Sequence, residues 1–238
     1  MKRQTAAVVL VLGAVGGCGA RTMLLAGAGA ADAAAGGGGE GGGSGGDGGG
    51  GGDAGAVPCD QIPDNLVQNC SFEEPAVPAG SFSTFGPGST GIQSWTVGAA
   101  AGASDGVDLV TGTFDTVYPV SSGVQSLDLN HDSPGAISQD LTTTPGQRYL
   151  LAFSLSGYPV TPECSSVLTK TLQVTAGTAA EGYAFTPDQA ASPLGVQSFS
   201  RETLTFTAAS NVATITFTAT SAGCAGPIVD DVSVVPVP

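Results

Sequence analysis

One histidine, twenty carboxylates and five cysteines bound the side-chain chemistry open to this 238-residue chain. His131 lies in Asn130-His131-Asp132-Ser133-Pro134-Gly135, with no accompanying pattern for nucleophilic or metal catalysis, and reads as a loop residue. The carboxylates are numerous enough to supply a glycosidase pair, but composition singles out no two of them. Asp128-x-Asn130-x-Asp132 begins like a calcium loop and then departs from one. Ser133 stands where the sharp turn needs glycine, and Gln139 where a bidentate glutamate closes the coordination. Gly42-x-Ser44-x-Gly46 has the letters of a nucleophile elbow without the flanking strand and helix, inside a glycine run.

The cysteines divide into Cys18, near the N-terminus, and the set Cys59, Cys70, Cys164 and Cys224. No C-x-x-C pair is present, so a zinc site lacks its usual spacing. Four cysteines in an exported domain suggest two disulfides, with three connectivities open. The favoured pairing is Cys59–Cys70, close in sequence, with Cys164–Cys224, whose long loop is worth about 4 kcal/mol in the chain-entropy view. Sugar recognition calls for an exposed aromatic ring near amides and carboxylates, and Trp95, Tyr118, Tyr158 and Tyr183 are the candidates. Trp95 has apolar neighbours, where core packing competes with binding. Tyr118 and Tyr158 each stand beside a proline in loop-like sequence and are expected at the surface.

The net charge is −14 with six basic residues. Lys2, Arg3 and Arg21 precede the glycine run, which leaves Arg148, Lys170 and Arg201 for the folded part. Nucleic-acid binding needs clustered cations to displace counterions, and this distribution excludes it. Met1-Lys2-Arg3 followed by an apolar run from Ala6 to Val15 is an export signal too short to span a membrane. Val15-Gly16-Gly17-Cys18 then has the form of a bacterial lipobox. Residues 1–18 are therefore expected to be a signal peptide whose terminal Cys18 carries acyl chains. The lipid would anchor the protein to the outer membrane or cell surface of a bacterial envelope. Cleavage near residues 30–35, giving a secreted protein, is the alternative. Residues 19–56, rich in Ala and Gly, cannot bury apolar surface and are expected to form a disordered tether, with a reach of about 35 Å from Cys18 onward.

From residue 57 to 238 the composition is that of a single β domain. Leu127 and Leu129 alternate with Asp128 and Asn130, and Tyr149, Leu151, Phe153 and Leu155 mark one face of a strand. Further strands are expected at 93–97, 107–110, 136–141, 168–175, 182–185, 199–207, 212–220 and 228–234. In the segment 212–220, Ala213, Ile215 and Phe217 point to the core. Residues 75–90, rich in Pro, Gly and Ser, read as a loop. No segment keeps a helical period over three turns. The expected fold is all-β, an antiparallel β-sandwich or jelly roll.

Three pieces, Asn65 to Glu73, Ser126 to Leu155 and Gly226 to Val234, resemble the bacterial choice-of-anchor C proteins and their plant cell-wall relatives, the domain of unknown function 642 family. The resemblance covers about residues 64–234. It implies a galactose-binding-like jelly roll acting as a non-catalytic carbohydrate-binding module, with a polysaccharide or glycan as partner. The alternative is a structural or adhesive envelope protein that binds another protein or the matrix. The family usually has glycine where this chain has Cys70. In similar jelly-roll modules the opening motif and the closing Asp-Asp-Val strand lie side by side and hold a structural calcium, which would fall to Glu73 and Asp230 here.

Overall fold

The computed structural model describes residues 57–100, 105–115, 117–159, 167–189 and 197–238. The expected signal peptide, Cys18 and the tether through residue 56 lie outside these residues. Eleven strands follow one another among the described residues: β1 (Phe82–Phe85), β2 (Thr96–Ala99), β3 (Val107–Thr111), β4 (Gln125–Asp128), β5 (Gly135–Thr142), β6 (Arg148–Gly157), β7 (Lys170–Ala176), β8 (Ala179–Phe185), β9 (Ser200–Thr207), β10 (Val212–Ala219) and β11 (Pro227–Val237). The one helical element described is a single 3-10 turn at Cys59–Gln61.

The strands form two antiparallel sheets. A six-stranded sheet runs β1-β3-β4-β11-β6-β9, and a five-stranded sheet runs β2-β5-β10-β7-β8. Period-two alternation sends one set of side chains from each sheet into the space between them. Leu109, Leu127, Leu151, Phe153, Leu155, Val229, Val232 and Val234 come from the six-stranded sheet. Ile137, Leu141, Leu172, Val174, Ile215 and Phe217 meet them from the other. Phe153 and Phe217 cross the interface edge to face, with centroids 5.1 Å apart. The sandwich expected from the spacing of short strands is the fold observed.

Two expectations about elements need correction. β1 lies inside residues 75–90, which read as a loop. Its four residues form a strand because Phe82–Phe85 pair in register with Val110–Val107 of β3, a tertiary contact that local composition does not report. The strand expected at 93–97 begins only at Thr96, because Ser94 takes a left-handed φ of 66° and Trp95 turns into the core.

The N-terminal segment is tied to the last strand. A disulfide joins Cys59 and Cys70. Asn65 donates to the Cys59 carbonyl, and its Oδ1 accepts from the Val234 amide at 2.9 Å. β11 carries an irregularity between Asp230 and Ser233, with Asp231 at φ 52°. Such a bulge inserts an unpaired residue into a ladder. Its backbone groups find partners off the sheet: the Val232 amide donates to the Cys70 carbonyl, and Arg201 donates to the Asp231 carbonyl at 2.6 Å. Cys224 is disulfide-bonded, while Cys164, its expected partner, lies outside the described residues.

Candidate functional site

Over β4, β11 and the adjoining part of β6, the outer face of the six-stranded sheet carries buried polar groups, while the outward threonines of β9 are exposed. Ser126 and Asp128 of β4, Ser154 and Ser156 of β6, and Asp230 of β11 are all buried. All but Ser156, which donates to the Ser198 carbonyl, meet the connection between β3 and β4, a strap described at residues 112–115 and 117–124. The strap supplies partners to Ser126, Asp128, Ser154 and Asp230. Asp230 Oδ2 accepts the amides of Ser121 at 2.7 Å and Ser122 at 3.0 Å. Ser121 Oγ donates to Ser154 Oγ, and Ser126 Oγ donates to the Pro119 carbonyl. Glu73 Oε1 accepts the amides of Val124 and Gln125, at the end of the strap. Gly123 sits at φ 73°, a conformation L side chains rarely adopt, and a Cβ there would push the Glu73 carboxylate from its place.

Glu73 and Asp230, the residues the resemblance assigns to a calcium, both bond to this loop. Five backbone N–H groups, those of Ser121, Ser122, Val124, Gln125 and Asp231, point at their oxygens. A hard cation needs a shell of oxygen acceptors, and N–H donors present the opposite polarity. No group of three or more His, Cys, Asp or Glu side chains among the described residues is arranged to hold a metal. The pair does not fit a calcium cage; it clamps the strap. Of Asp128-x-Asn130-x-Asp132, the first two converge beside Gly226, each Oδ1 2.6 Å from where a Cβ there would stand, and Asn130 Oδ1 is buried with no hydrogen-bond partner among the described residues, while Asp132 is exposed. Asp128 Oδ1 accepts the amides of Asn130 and Gly226, Asn130 Nδ2 donates to the carbonyls of Ser221 and Gly223, and Asp132 lies near His131 Nε2 at 3.8 Å.

The aromatic candidates are inside the molecule. Tyr118 and Tyr158 are 5% and 6% exposed, against the surface position expected of them. They stack on each other, 5.1 Å between centroids, over Val110 and Ile228 in a small second core beneath the strap. Their hydroxyls are taken: Tyr118 donates to Asp128 Oδ2 at 2.8 Å and Tyr158 to Asp115 Oδ2 at 3.2 Å. The neighbouring prolines mark the ends of segments that fold back onto the sheet. Trp95, 1% exposed, packs against Phe72 and Phe217 and donates its indole N–H to the Asn69 carbonyl. Tyr183 is half-buried, edge-on to Phe153. Trp95, Tyr118 and Tyr158 offer no open ring face to a sugar, and Tyr183 is partly exposed.

Burial perturbs the carboxylates under the strap. Burial pushes Asp128 up to about 7, against hydrogen bonds from the Asn130 amide and Tyr118 that favour its ionised form. Asp230 is likewise raised well above the ordinary carboxylate range by burial, opposed by the amides of Ser122, Ser121 and Asp231. Burial alone would lower His131, but its 3.1 Å contact with Asp108 and the charges of Asp132 and Asp105 raise it. Asp108 stands directly opposite Asp128 across β3 and β4. Asp108 Oδ1 and Oδ2 are engaged by Thr84 and His131, and Asp128 is closed over by Tyr118 and Gly226.

The outer face of the five-stranded sheet is also polar, but open. β10 turns Thr214, Thr216 and Thr218 outward, and Thr220 follows just beyond it. One row across the sheet reads Thr96, Ser138, Thr216, Thr175 and Ala180; the next reads Gly98, Ala136, Thr218, Gln173 and Gly182. The other half of this alternation is the apolar set that faces the core. The signal was present in Thr214-Ile215-Thr216-Phe217-Thr218-Ala219-Thr220, where every outward position is threonine.

The family model described as "Protein of unknown function (DUF642)" matches residues 65–235. A search of curated proteins found no match. Similar solved structures include a complex of TmCBM61 with β-1,4-galactotriose, at 13% identity and TM-score 0.36, covering 73% of this chain and 99% of that one. A family 35 carbohydrate-binding module from Clostridium thermocellum is similar at 14% identity and TM-score 0.39, covering 65% and 97%. A structure titled "CBM4 structure and function" is similar at 19% identity and TM-score 0.36, covering 71% and 99%. With its model spanning both sheets from Asn65 to Val235, the chain belongs to the DUF642 family of proteins of unknown function.

Proposed function

We propose that this protein is a non-catalytic polysaccharide-binding module of the bacterial cell envelope, exported by residues 1–18 and held at a membrane by acylated Cys18. One observation carries the non-catalytic half: the carboxylates with perturbed protonation, Asp128 and Asp230, are sealed under the strap and spent on its backbone amides and on Tyr118. A glycosidase needs two carboxyl groups flanking a bound sugar with room for water, and these have none. The binding half is supported by family membership, through a resemblance that associates plant relatives with wall polysaccharide, and by an uncovered polar sheet face. Binding itself is the test. The purified chain is screened against plant, microbial and envelope polysaccharides, with release of reducing ends followed in parallel. Binding without hydrolysis is expected; hydrolysis, or silence across the screen, contradicts the reading. For the anchor, labelled palmitate marks the wild type and not Cys18→Ser. Equal labelling of both, or of neither, overturns it.

A second reading, a structural or adhesive envelope protein, draws on the burial of Trp95, Tyr118 and Tyr158. A sugar site built on aromatic stacking has no ring available at these positions. Silence in the polysaccharide screen with retention on isolated envelope protein would favour it.

A further inference from the structure

The outward positions of β5, β10 and β7 form a surface of unusual composition. They are Ala136, Ser138, Asp140 and Thr142 on β5; Val212, Thr214, Thr216 and Thr218 on β10; and Thr171, Gln173 and Thr175 on β7. In a chain of net charge −14, this central face holds one charged side chain, Asp140, and its Oδ1 accepts the Thr214 hydroxyl at 2.6 Å. Solvated sheet faces ordinarily mix in charged side chains, whereas depletion of charge marks the middle of a binding surface. The flanks are low: Ala180, Gly182 and Ala184 on β8, and Gly98 on β2. No large side chain on these outer strands rises beside the threonines.

Hydrogen-bonding capacity on this face is left open. At its ends hydroxyls pair with neighbours, as where Thr220 donates to Thr171 at 2.7 Å. At its centre the side chains of Thr175, Thr216, Thr218 and Gln173 have no partner among the described residues. Strand geometry repeats outward side chains about every 6.8 Å along β10 and about 4.8 Å across the sheet. The face is therefore a grid of hydroxyls, each both donor and acceptor, with methyl groups between them.

We propose that the outer face of the five-stranded sheet is the polysaccharide-binding surface, and that its ligand is an uncharged, hydroxyl-rich chain bound mainly through hydrogen bonds at Thr216, Thr218, Thr175 and Gln173. The inference rests on the polysaccharide-binding reading above and adds the face and the charge class. Neutrality follows from the composition. An acidic polymer finds no Lys or Arg on these strands' outward positions, and a basic one finds a single carboxylate already bonded.

Affinity electrophoresis of the full chain tests it, through gels containing a neutral β-glucan, a neutral galactan or polygalacturonate. Retardation by a neutral polymer is expected, with none by polygalacturonate. Thr216→Arg and Thr218→Arg lose at least tenfold in affinity, while Thr205→Arg, exposed on the other sheet, binds as wild type. Gln173→Ala, a smaller change, loses severalfold and serves if an arginine variant misfolds by circular dichroism. Wild-type retardation by a neutral polymer in all the Thr216, Thr218 and Gln173 variants overturns the face and leaves the polysaccharide reading intact. Retardation by polygalacturonate alone overturns the charge class. Retardation by no polymer overturns both readings together.

Discussion

The two outer faces of this sandwich are both polar, and they differ in what completes them. On the six-stranded sheet, Ser126, Ser154, Asp128 and Asp230 are covered by the strap, which supplies a partner to each. On the five-stranded sheet, Thr175, Thr216, Thr218 and Gln173 lie in register with no such cover. A buried polar group is costly unless hydrogen-bonded, so the first face is committed to the fold. The second face is half-buried, and its central side chains have no fold partner to lose. Ionisable groups therefore locate the structural face here, contrary to the usual association of perturbed protonation with function.

The comparison breaks if the faces respond alike to mutation. Asp230→Ala strips acceptors from three backbone amides and is expected to cost about 3–5 kcal/mol in urea unfolding. Thr216→Ala is expected to stay within about 0.5 kcal/mol of wild type. Equal costs would erase the distinction between committed and free polar groups.

Protonation sharpens it further. Asp128 rises from 3.8 unfolded to about 7 folded, so the folded state holds the proton more tightly. Its contribution is fully present below pH 3.8 and is lost as pH rises toward 7, a change of up to about 4 kcal/mol. Asp230, also raised, acts with the same sign, and His131 adds a loss as pH climbs from 6.5 through its raised value. Melting temperature should therefore fall between pH 5 and 8, and Asp128→Asn should flatten much of that slope. A wild type that becomes more stable toward pH 8 would contradict the placement of these groups.

Smaller effects probe single bonds. Tyr118→Phe removes the hydroxyl that donates to Asp128 and is expected to cost about 1–2 kcal/mol, with polysaccharide binding unchanged. EGTA is expected to leave the melting temperature where it was, because Glu73 and Asp230 hold amides; a fall of several degrees would restore a bound cation to this clamp.

The sandwich was legible because Tyr149, Leu151, Phe153 and Leu155, or Ala213, Ile215 and Phe217, report a half-buried strand by period alone. β1 was not, since Phe82–Phe85 owe their conformation to β3. Glu73 and Asp230 were legible as neighbours but not in their chemistry, because what faces them is the backbone of a loop 50 to 110 residues away in sequence. Tyr118 and Tyr158 misled because adjacency to proline reports a turn and not the side on which the ring lands. The threonine face went unread although its residues alternate with the core, because threonine outside a strand is also what β propensity alone would place there.

The most direct test of the account compares the two faces in one experiment. Threonine methyl groups are isotopically labelled and their NMR signals followed as a soluble neutral glucan is added to the protein. The account predicts shifts at Thr175, Thr216 and Thr218, with Thr203, Thr205 and Thr207 on β9 unmoved. Shifts confined to the β9 threonines, or none at saturating glucan, would contradict it.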